Sequence, residues 1–391
     1  MAGALEGIKI LEMASYVTGP FASMLLADLG AQVIKIETPG HGDPFRGWGN
    51  VPYSPTFCSM NRNKRSLSLN VQKPEGKEIF LRLAKDADVI IENMRPGVVD
   101  RLGVGYETVR AINPRVVYCS ISGFGQDGPY RERPGYDTIG QAMSGLLSVL
   151  TDLDSPKGVG SSLSDHLTGL FACYAVLGGL VSRERTGVGQ KVETSLLQAT
   201  VAFGCENVAR YLASGVVPTR DSRLHLAQVY AFAAGDGLPF VIHLSSPQKF
   251  WHGLADSIGR SELKEDPRFV DKEARIENYD SLKEILSEKF RSAPREQWLR
   301  ILGEHDVPSA PLQNFQEVFQ DPQVRHLGME VEMQHPRMGT VRLAGSGIRM
   351  SETPPRMELP PPIMGENTEE ILLSLGYSSQ AISELRDKGV I

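Results

Sequence analysis

Gly7-Ile8-Lys9-Ile10-Leu11-Glu12-Met13 and Val33-Ile34-Lys35-Ile36-Glu37 read as two strands, and the residues between them read as a helix. Pro20 opens that helix, Phe21, Met24, Leu25, Leu26 and Leu29 make it apolar, and Gly30 closes it. Proline at a helix start and glycine just past its end is the usual asymmetry. Strand, helix and strand in that order pair in parallel through a right-handed crossover. Glu37 ends the second strand where dinucleotide-binding folds place a ribose-binding carboxylate. The first turn, Ser15-Tyr16-Val17-Thr18-Gly19-Pro20, lacks the glycine fingerprint that such folds need to approach a pyrophosphate. The stretch predicts a Rossmann-like architecture without NAD.

The same alternation continues outward. Residues 65–69 read as a strand, Lys73-Pro74-Glu75-Gly76 starts a helix through Leu83, and Ala87-Asp88-Val89-Ile90-Ile91 is the next strand. Short helices are expected near 98–102 and 106–112, then a strand over 115–122 ending in Gly123-Phe124-Gly125. This is the pattern of an α/β fold with a mostly parallel sheet, whose ligands bind at the carboxyl ends of strands. Those ends are 15–18, 93–95 and 123–125. Residues 190–194 and a helix to about 212 are expected to leave this first domain, and 214–222 form a polar linker. A hairpin of 229–233 and 240–244 around Gly235-Asp236-Gly237, with helices near 248–257, 279–290 and 295–303, makes a smaller α+β domain. An antiparallel pair near 330–334 and 340–343 precedes the proline-rich 354–362, which is expected to be ordered only where a partner holds it. Helices over 368–375 and 379–388 close the chain. The expected division is 1–213, the first segment of a large Rossmann-like domain; 223–312, the small α+β domain; and 313–391, a return linker and C-terminal segment completing the large domain.

Composition narrows the function classes. With 391 residues, 41% hydrophobic and 23% charged, the chain has the make-up of a globular protein with a large core. A net charge of -6 with no run of like charges argues against nucleic acid as a partner. Cys58, Cys119, Cys173 and Cys205 form no Cys-x-x-Cys pair and have no histidine at zinc spacing. Reduced structural thiols, no metal site and a cytoplasmic enzyme are the expectation. Met1-Ala2-Gly3-Ala4-Leu5-Glu6-Gly7 carries no basic-then-apolar signal pattern. The run 167–181 falls short of the ~20 apolar residues a membrane span needs. Asp165-His166 and Arg183-Glu184-Arg185 flank it, so a core helix and no membrane are expected.

That run follows Ser161-Ser162-Leu163-Ser164-Asp165-His166-Leu167-Thr168-Gly169. A helix apolar all round is a buried one, and serines before an aspartate signal its start. Asp165 is thus expected in the first turn, where backbone N–H groups and the helix dipole favour its ionised form. An anionic carboxylate in such a place is either a cap or a nucleophile. Four other groupings compete. Asn61-Arg62-Asn63-Lys64-Arg65 reads as a phosphate-binding cluster or a solvated loop. Arg95 and Arg101, just past a strand end, suit a pyrophosphate or surface ion pairs. Tyr136-Asp137 reads as a capping pair ahead of a helix. His166 invites an acid–base dyad with Asp165, yet adjacent helical side chains diverge. No Ser/His/Asp order, Walker loop or metal-spaced cluster is present.

Taken together, many separated stretches resemble class III CoA-transferases, a family that includes formyl-CoA and carnitine-type transferases and α-methylacyl-CoA racemases. They are Leu5–Glu12, Gly19-Pro20-Phe21, Leu29–Glu37, Gly40-His41-Gly42-Asp43, Asn63-Lys64-Arg65-Ser66, Glu92–Gly97, Ser122-Gly123-Phe124-Gly125, Thr186–Gln190 and Gly365-Glu366-Asn367-Thr368. The resemblance implies a catalytic aspartate at Asp165 that forms an acyl anhydride with the donor and then an aspartyl-CoA thioester. It implies coenzyme A contacts from Val17, Thr18, Leu69, Asn70, Val71, Gln72, Asn93, Met94, Arg95, Arg101 and Tyr136. No tightly bound cofactor is implied: coenzyme A and its acyl esters are substrates, with a carboxylic acid as the second substrate. An interlaced homodimer is implied as well. Main-chain N–H groups near Gly235–Gly237 are candidates for oxyanion stabilisation. Two departures bear on substrate: Thr38 stands where formyl-CoA transferases have an arginine, and their glycine-rich loop is absent before Tyr230. The racemase branch has a histidine in a Gly-His-Asp triplet, whereas this chain has Gly135-Tyr136-Asp137, and Ser246 replaces a racemase glutamate. Tyrosine titrates near 10 and is a poor base at neutral pH, which favours transfer over racemisation, and the retained aspartate with an apolar wall behind it speaks against a non-catalytic CoA- or nucleotide-binding protein.

Overall fold

Successive residues of a strand point to opposite faces, and β1 (Lys9–Met13) uses both. Ile10 belongs to a core with Ala22, Leu26, Val33, Val89, Ile91 and Val117, while Leu11 belongs to another with Ile36, Leu67, Ile79, Phe80 and Ile90. A sheet buried on both faces calls for parallel strands with helices crossing each side. β2 (Gln32–Glu37), β3 (Lys64–Ser68), β4 (Val89–Glu92), β5 (Val117–Ser122) and β6 (Gln190–Ser195) join β1 in a parallel sheet of order β3-β2-β1-β4-β5-β6. This is the expected Rossmann-like α/β arrangement. Strand order reverses between β1 and β4, which opens a crevice at their carboxyl ends.

The computed structural model describes residues 3–51 and 53–391. Met1 and Ala2, part of the opening stretch read above, and Pro52 lie outside them. The chain falls into two compact units: the first holds the chain up to Leu147 with Gly158–Val208 and Arg325–Ile391, and the second holds Ser148–Lys157 and Ala209–Val324. In the first, helices Thr368–Ser374 and Ser379–Asp387 return to the sheet and place Ile371, Leu372, Ile382 and Leu385 in the Leu11 core. β10 (Glu330–His335) and β11 (Gly339–Ala344) form the antiparallel pair, packed with Phe57 and Cys58. In the second unit β7 (Val229–Ala233), β8 (Pro239–His243) and β9 (Ser309–Pro311) are antiparallel, over a core of Tyr230, Phe240, Trp251, Phe290 and Trp298.

Three expectations change. The helix holding the apolar run spans Leu163–Thr186, but only one face is buried: Ala172, Val176 and Leu180 pack on the sheet. Leu170, Tyr174 and Val181 are 50%, 74% and 60% exposed, so an all-round apolar helix here lacks cover on one side. The cluster at 61–65 is neither a phosphate site nor a solvated loop. Asn61, Arg62 and Lys64 are buried, Arg62 pairs with Asp28 at 2.7 Å and Lys64 with Glu12 at 2.8 Å, so internal carboxylates claimed the cations. The proline-rich strap is held by the chain itself: Asn63 N–H donates to the Leu359 carbonyl (2.9 Å), Arg356 N–H to that of Asp28 (2.8 Å), and Arg46 to that of Pro362 (2.8 Å).

Candidate active site

The turns that follow β1 and β4 meet where the strand order reverses. Asn93 splints them: its Oδ1 accepts the Ser15 N–H (3.0 Å), and its amide donates to the Ser15 carbonyl (2.7 Å) and to Thr18 Oγ1 (3.1 Å). Tyr16 has φ +66°, a left-handed conformation that a bulky residue adopts only under constraint. Its N–H is fixed on Asp43 Oδ1 at 3.2 Å. Asp43 is tied in turn to Lys35 at 2.9 Å, and Lys35 to Glu12 at 2.7 Å. A wholly buried charge network therefore underlies the turn.

Above this base lies a cavity of about 240 Å³. Tyr16, Val17 and Thr18 line it from the turn after β1, Asn93, Met94, Arg95 and Pro96 from the turn after β4, and Ile121, Ser122 and Gly123 from the end of β5. Arg131, Arg133, Pro134, Gly135, Tyr136, Leu196 and Asp165 complete it. Arg131 and Arg101 both flank Gly97, where a Cβ would meet their guanidinium nitrogens at 3.0 and 3.3 Å. Cationic groups thus collect at one side of the crevice.

Asp165 is the third residue of the Leu163–Thr186 helix. Its N–H donates to Asp137 Oδ1 at 3.1 Å, so Asp137 caps this helix, whereas the Tyr136–Asp137 pair had been expected to cap the helix it precedes. That following helix, Asp137–Met143, starts at Tyr136 without a side-chain cap. No ion-pair partner of Asp165 occurs among the described residues. Burial, and then the Asp137 charge, push its carboxyl up to about 7. The expectation that the helix start favours the anion is thereby reversed, because desolvation and a like charge oppose the helix dipole. His166 turns away: its Nδ1 donates to the Ser162 carbonyl at 2.7 Å and its ring meets Phe21 edge-on at 4.9 Å. No dyad forms.

Of the residues expected to meet coenzyme A, Val17, Thr18, Asn93, Met94, Arg95 and Tyr136 share the cavity with Asp165, and Arg101 stands beside it. Leu69, Asn70, Val71 and Gln72 follow β3, further along the same carboxyl edge of the sheet. Leu69 and Val71 are in the hydrophobic core, and Asn70 Oδ1 accepts the Gln72 N–H at 3.0 Å. The Gly235 and Gly237 amides already donate to the carbonyls of Ala293 (2.8 Å) and Ala234 (2.9 Å), so neither is free for an oxyanion. Glu37, tempting as a ribose ligand, pairs with Arg46 at 2.6 Å and accepts from Ser66 at 2.7 Å. Sequence reasoning missed Arg131 and Arg133, although the charge-dense Arg131-Glu132-Arg133 ahead of Pro134-Gly135 signals a polar loop. It also missed Gln141, which no pattern marks. Among the described residues no group of histidines, cysteines and carboxylates could hold a metal ion.

Fold and site define a doubly wound α/β protein whose crevice holds one carboxylate without a counter-charge. Residues 5–368 match CoA-transferase family III, and the chain belongs to that family: it is a class III CoA-transferase. It is 37% identical to the succinyl-CoA:glutarate CoA-transferase of Homo sapiens, over 99% of this chain and 90% of that one. Identity to the acetyl-CoA:oxalate CoA-transferase of Acetobacter aceti is 39%, over 89% and 90%. The crystal structure of a CAIB/BAIF family protein from Brucella suis superposes with a TM-score of 0.86 at 34% identity, covering 96% of this chain and all of that one.

Proposed function

We propose that the enzyme moves coenzyme A from an acyl-CoA donor to a carboxylate acceptor through covalent intermediates on Asp165. The observation that carries this reading is an Asp165 carboxylate without a cation in a cavity at the strand-order reversal. One carboxylate oxygen attacks the donor thioester carbonyl, the C–S bond breaks, and coenzyme A leaves as thiolate from a mixed anhydride. The thiolate attacks the Asp165 carbonyl, releasing the donor acid and leaving an aspartyl-CoA thioester. The acceptor carboxylate then displaces the thiolate to form a second anhydride. Attack of the thiolate on the acceptor carbonyl completes the exchange and frees Asp165. Splitting the exchange this way replaces one hard step by easier ones, and the apolar wall of Val17, Ile121 and Leu196 keeps water from the anhydrides.

On this reading the phosphates of coenzyme A are met by Arg95 and Arg101, and the carrier runs along the carboxyl edge toward residues 69–72. A short dicarboxylate such as succinate suits the acyl pair, in keeping with the succinyl-CoA and glutarate in the name of the Homo sapiens relative. Racemisation has weaker support, since no histidine lines the cavity among the described residues. The uncovered stripe of Leu170, Tyr174 and Val181 supports a homodimer, which sedimentation of wild type against Tyr174→Glu tests.

The decisive experiment is trapping. Acyl-CoA followed by hydroxylamine should leave a hydroxamate on the Asp165 peptide by mass spectrometry, and a peptide that stays unlabelled while exchange proceeds would sink the proposal. A matrix of acyl-CoA donors against carboxylate acceptors then identifies the pair. Because the attacking form is the anion, kcat/KM should rise about tenfold per pH unit below the pKa and level off above about 7.

A further inference from the structure

We infer that Asp137, clamped by Gln141, is a positioning residue that sets the charge state of Asp165 and thereby favours its acylation. The inference rests on the reading of Asp165 as nucleophile.

The geometry begins with the Asp137–Met143 helix, which lies against the first turn of the Asp165 helix. Asp137 Oδ1 accepts the Asp165 N–H at 3.1 Å. Gln141 is wholly buried; its amide donates to Asp137 Oδ2 at 2.6 Å and to the Ser161 carbonyl at 3.0 Å. At Gly140 the two helices come so close that a Cβ would sit 2.3 Å from Ser164 Oγ. Three consecutive features thus fix one carboxylate against the amide of another. Two N–H donors hold the Asp137 carboxylate, but no ion-pair partner of it occurs among the described residues, so no cation cancels its charge beside Asp165.

Titratable and charged side chains reach the cavity around Asp165 from several elements. Tyr16 comes from the first turn, Arg95 from the second, Arg131, Arg133 and Tyr136 from the loop ahead of the short helix, and Asp137 from that helix. His166, on its own helix, is turned to Ser162 and Phe21. Of these charges, Asp137's is the one that raises the Asp165 carboxyl, after burial. Acylation has the same electrostatic consequence as protonation: the aspartyl carbonyl of an anhydride or thioester bears no net charge. Repulsion that favours the protonated acid therefore also favours the covalent adduct over the free carboxylate. A more basic carboxylate is also the better nucleophile.

Asp137→Asn tests this directly, since its oxygen can still accept the Asp165 N–H while the charge is gone. The acid limb of kcat/KM should move down by about one pH unit. The fraction of enzyme trapped as an Asp165 adduct under excess acyl-CoA should fall about threefold or more, at little change in KM. Asp137→Glu, which keeps the charge, should return the limb toward its wild-type position; a purely structural role would give no such rescue. Asp137→Ser is a second neutral variant in case the first does not fold. An unmoved limb in a folded neutral variant, with wild-type Asp165 still labelled, overturns this inference alone. Absence of label on wild-type Asp165 overturns the underlying reading instead.

Discussion

Glu12 and Asp165 are both desolvated carboxylates, the first wholly buried and the second half-buried at a cavity wall, and the protein treats them in opposite ways. Glu12 sits between two lysines, Lys35 at 2.7 Å and Lys64 at 2.8 Å, all three fully buried. Burial alone would raise its pKa, but the two cations outweigh that and hold it at about 2. Asp165 meets burial and a second carboxylate, with no cation, and is pushed up to about 7. Compensated charge makes a rigid floor; uncompensated charge stays available for chemistry. The two are linked in space as well, because Lys35 also holds the Asp43 that fixes the strained Tyr16 at the cavity wall.

The largest expected break in this comparison is Asp165→Asn. Turnover should fall by roughly 10³-fold or more, about 4 kcal/mol of barrier, because the amide cannot form the anhydride. The same change should stabilise the fold. A carboxyl with a raised native pKa prefers to be protonated, so the wild type loses stability as pH climbs from about 4 through 7. The variant should therefore gain about 1–3 kcal/mol at pH 8 and nothing near pH 4, read by denaturant midpoints. An Asn variant with lower stability at pH 8 would contradict the unpaired-charge picture.

Glu12→Gln attacks the opposite pole and should cost about 3–5 kcal/mol at neutral pH, since Lys35 and Lys64 are left buried with too little negative charge. Here the native pKa is depressed. The stabilisation is complete above the ordinary 4.5 and lost as pH falls through about 2, so the gap between wild type and variant should close toward that acid end. Equal gaps at pH 7 and pH 2.5 would break the comparison.

Gly140→Ala probes the contact between the two carboxylate-bearing helices. Its Cβ must displace Ser164 Oγ or Leu196, so about 1–3 kcal/mol of stability should be lost together with activity. Smallest of all is His166→Asn. With the ring directed at Ser162 and Phe21, catalysis should stay within about twofold and stability within about 0.5 kcal/mol of wild type. A large loss of activity there would restore the dyad that the geometry dismisses.

Much of the scaffold was legible because it rests on local periodicity. Val33-Ile34-Lys35-Ile36-Glu37 and Val117–Ser122 are β-branched or apolar runs between turn residues, and both are interior strands. The long helix was legible too, with its aspartate in the first turn. Its all-round apolarity misled, because composition tells that a face wants cover without telling what covers it. The basic residues 61–65 misled for the opposite reason: Arg62 and Lys64 find Asp28 and Glu12, far away in sequence, only once β1, β2 and β3 are assembled side by side.

The order of apolar and turn residues by itself determined a parallel α/β sheet, its crevice-forming strand ends, and the presence of an acidic residue at a helix start. Only the tertiary structure decided which charges are neutralised and which are not, and with that the protonation of Asp165. The reason is physical. Secondary structure answers to neighbours a few residues apart, whereas a carboxylate's proton affinity answers to solvent and charge within a few ångströms, wherever the chain supplies them.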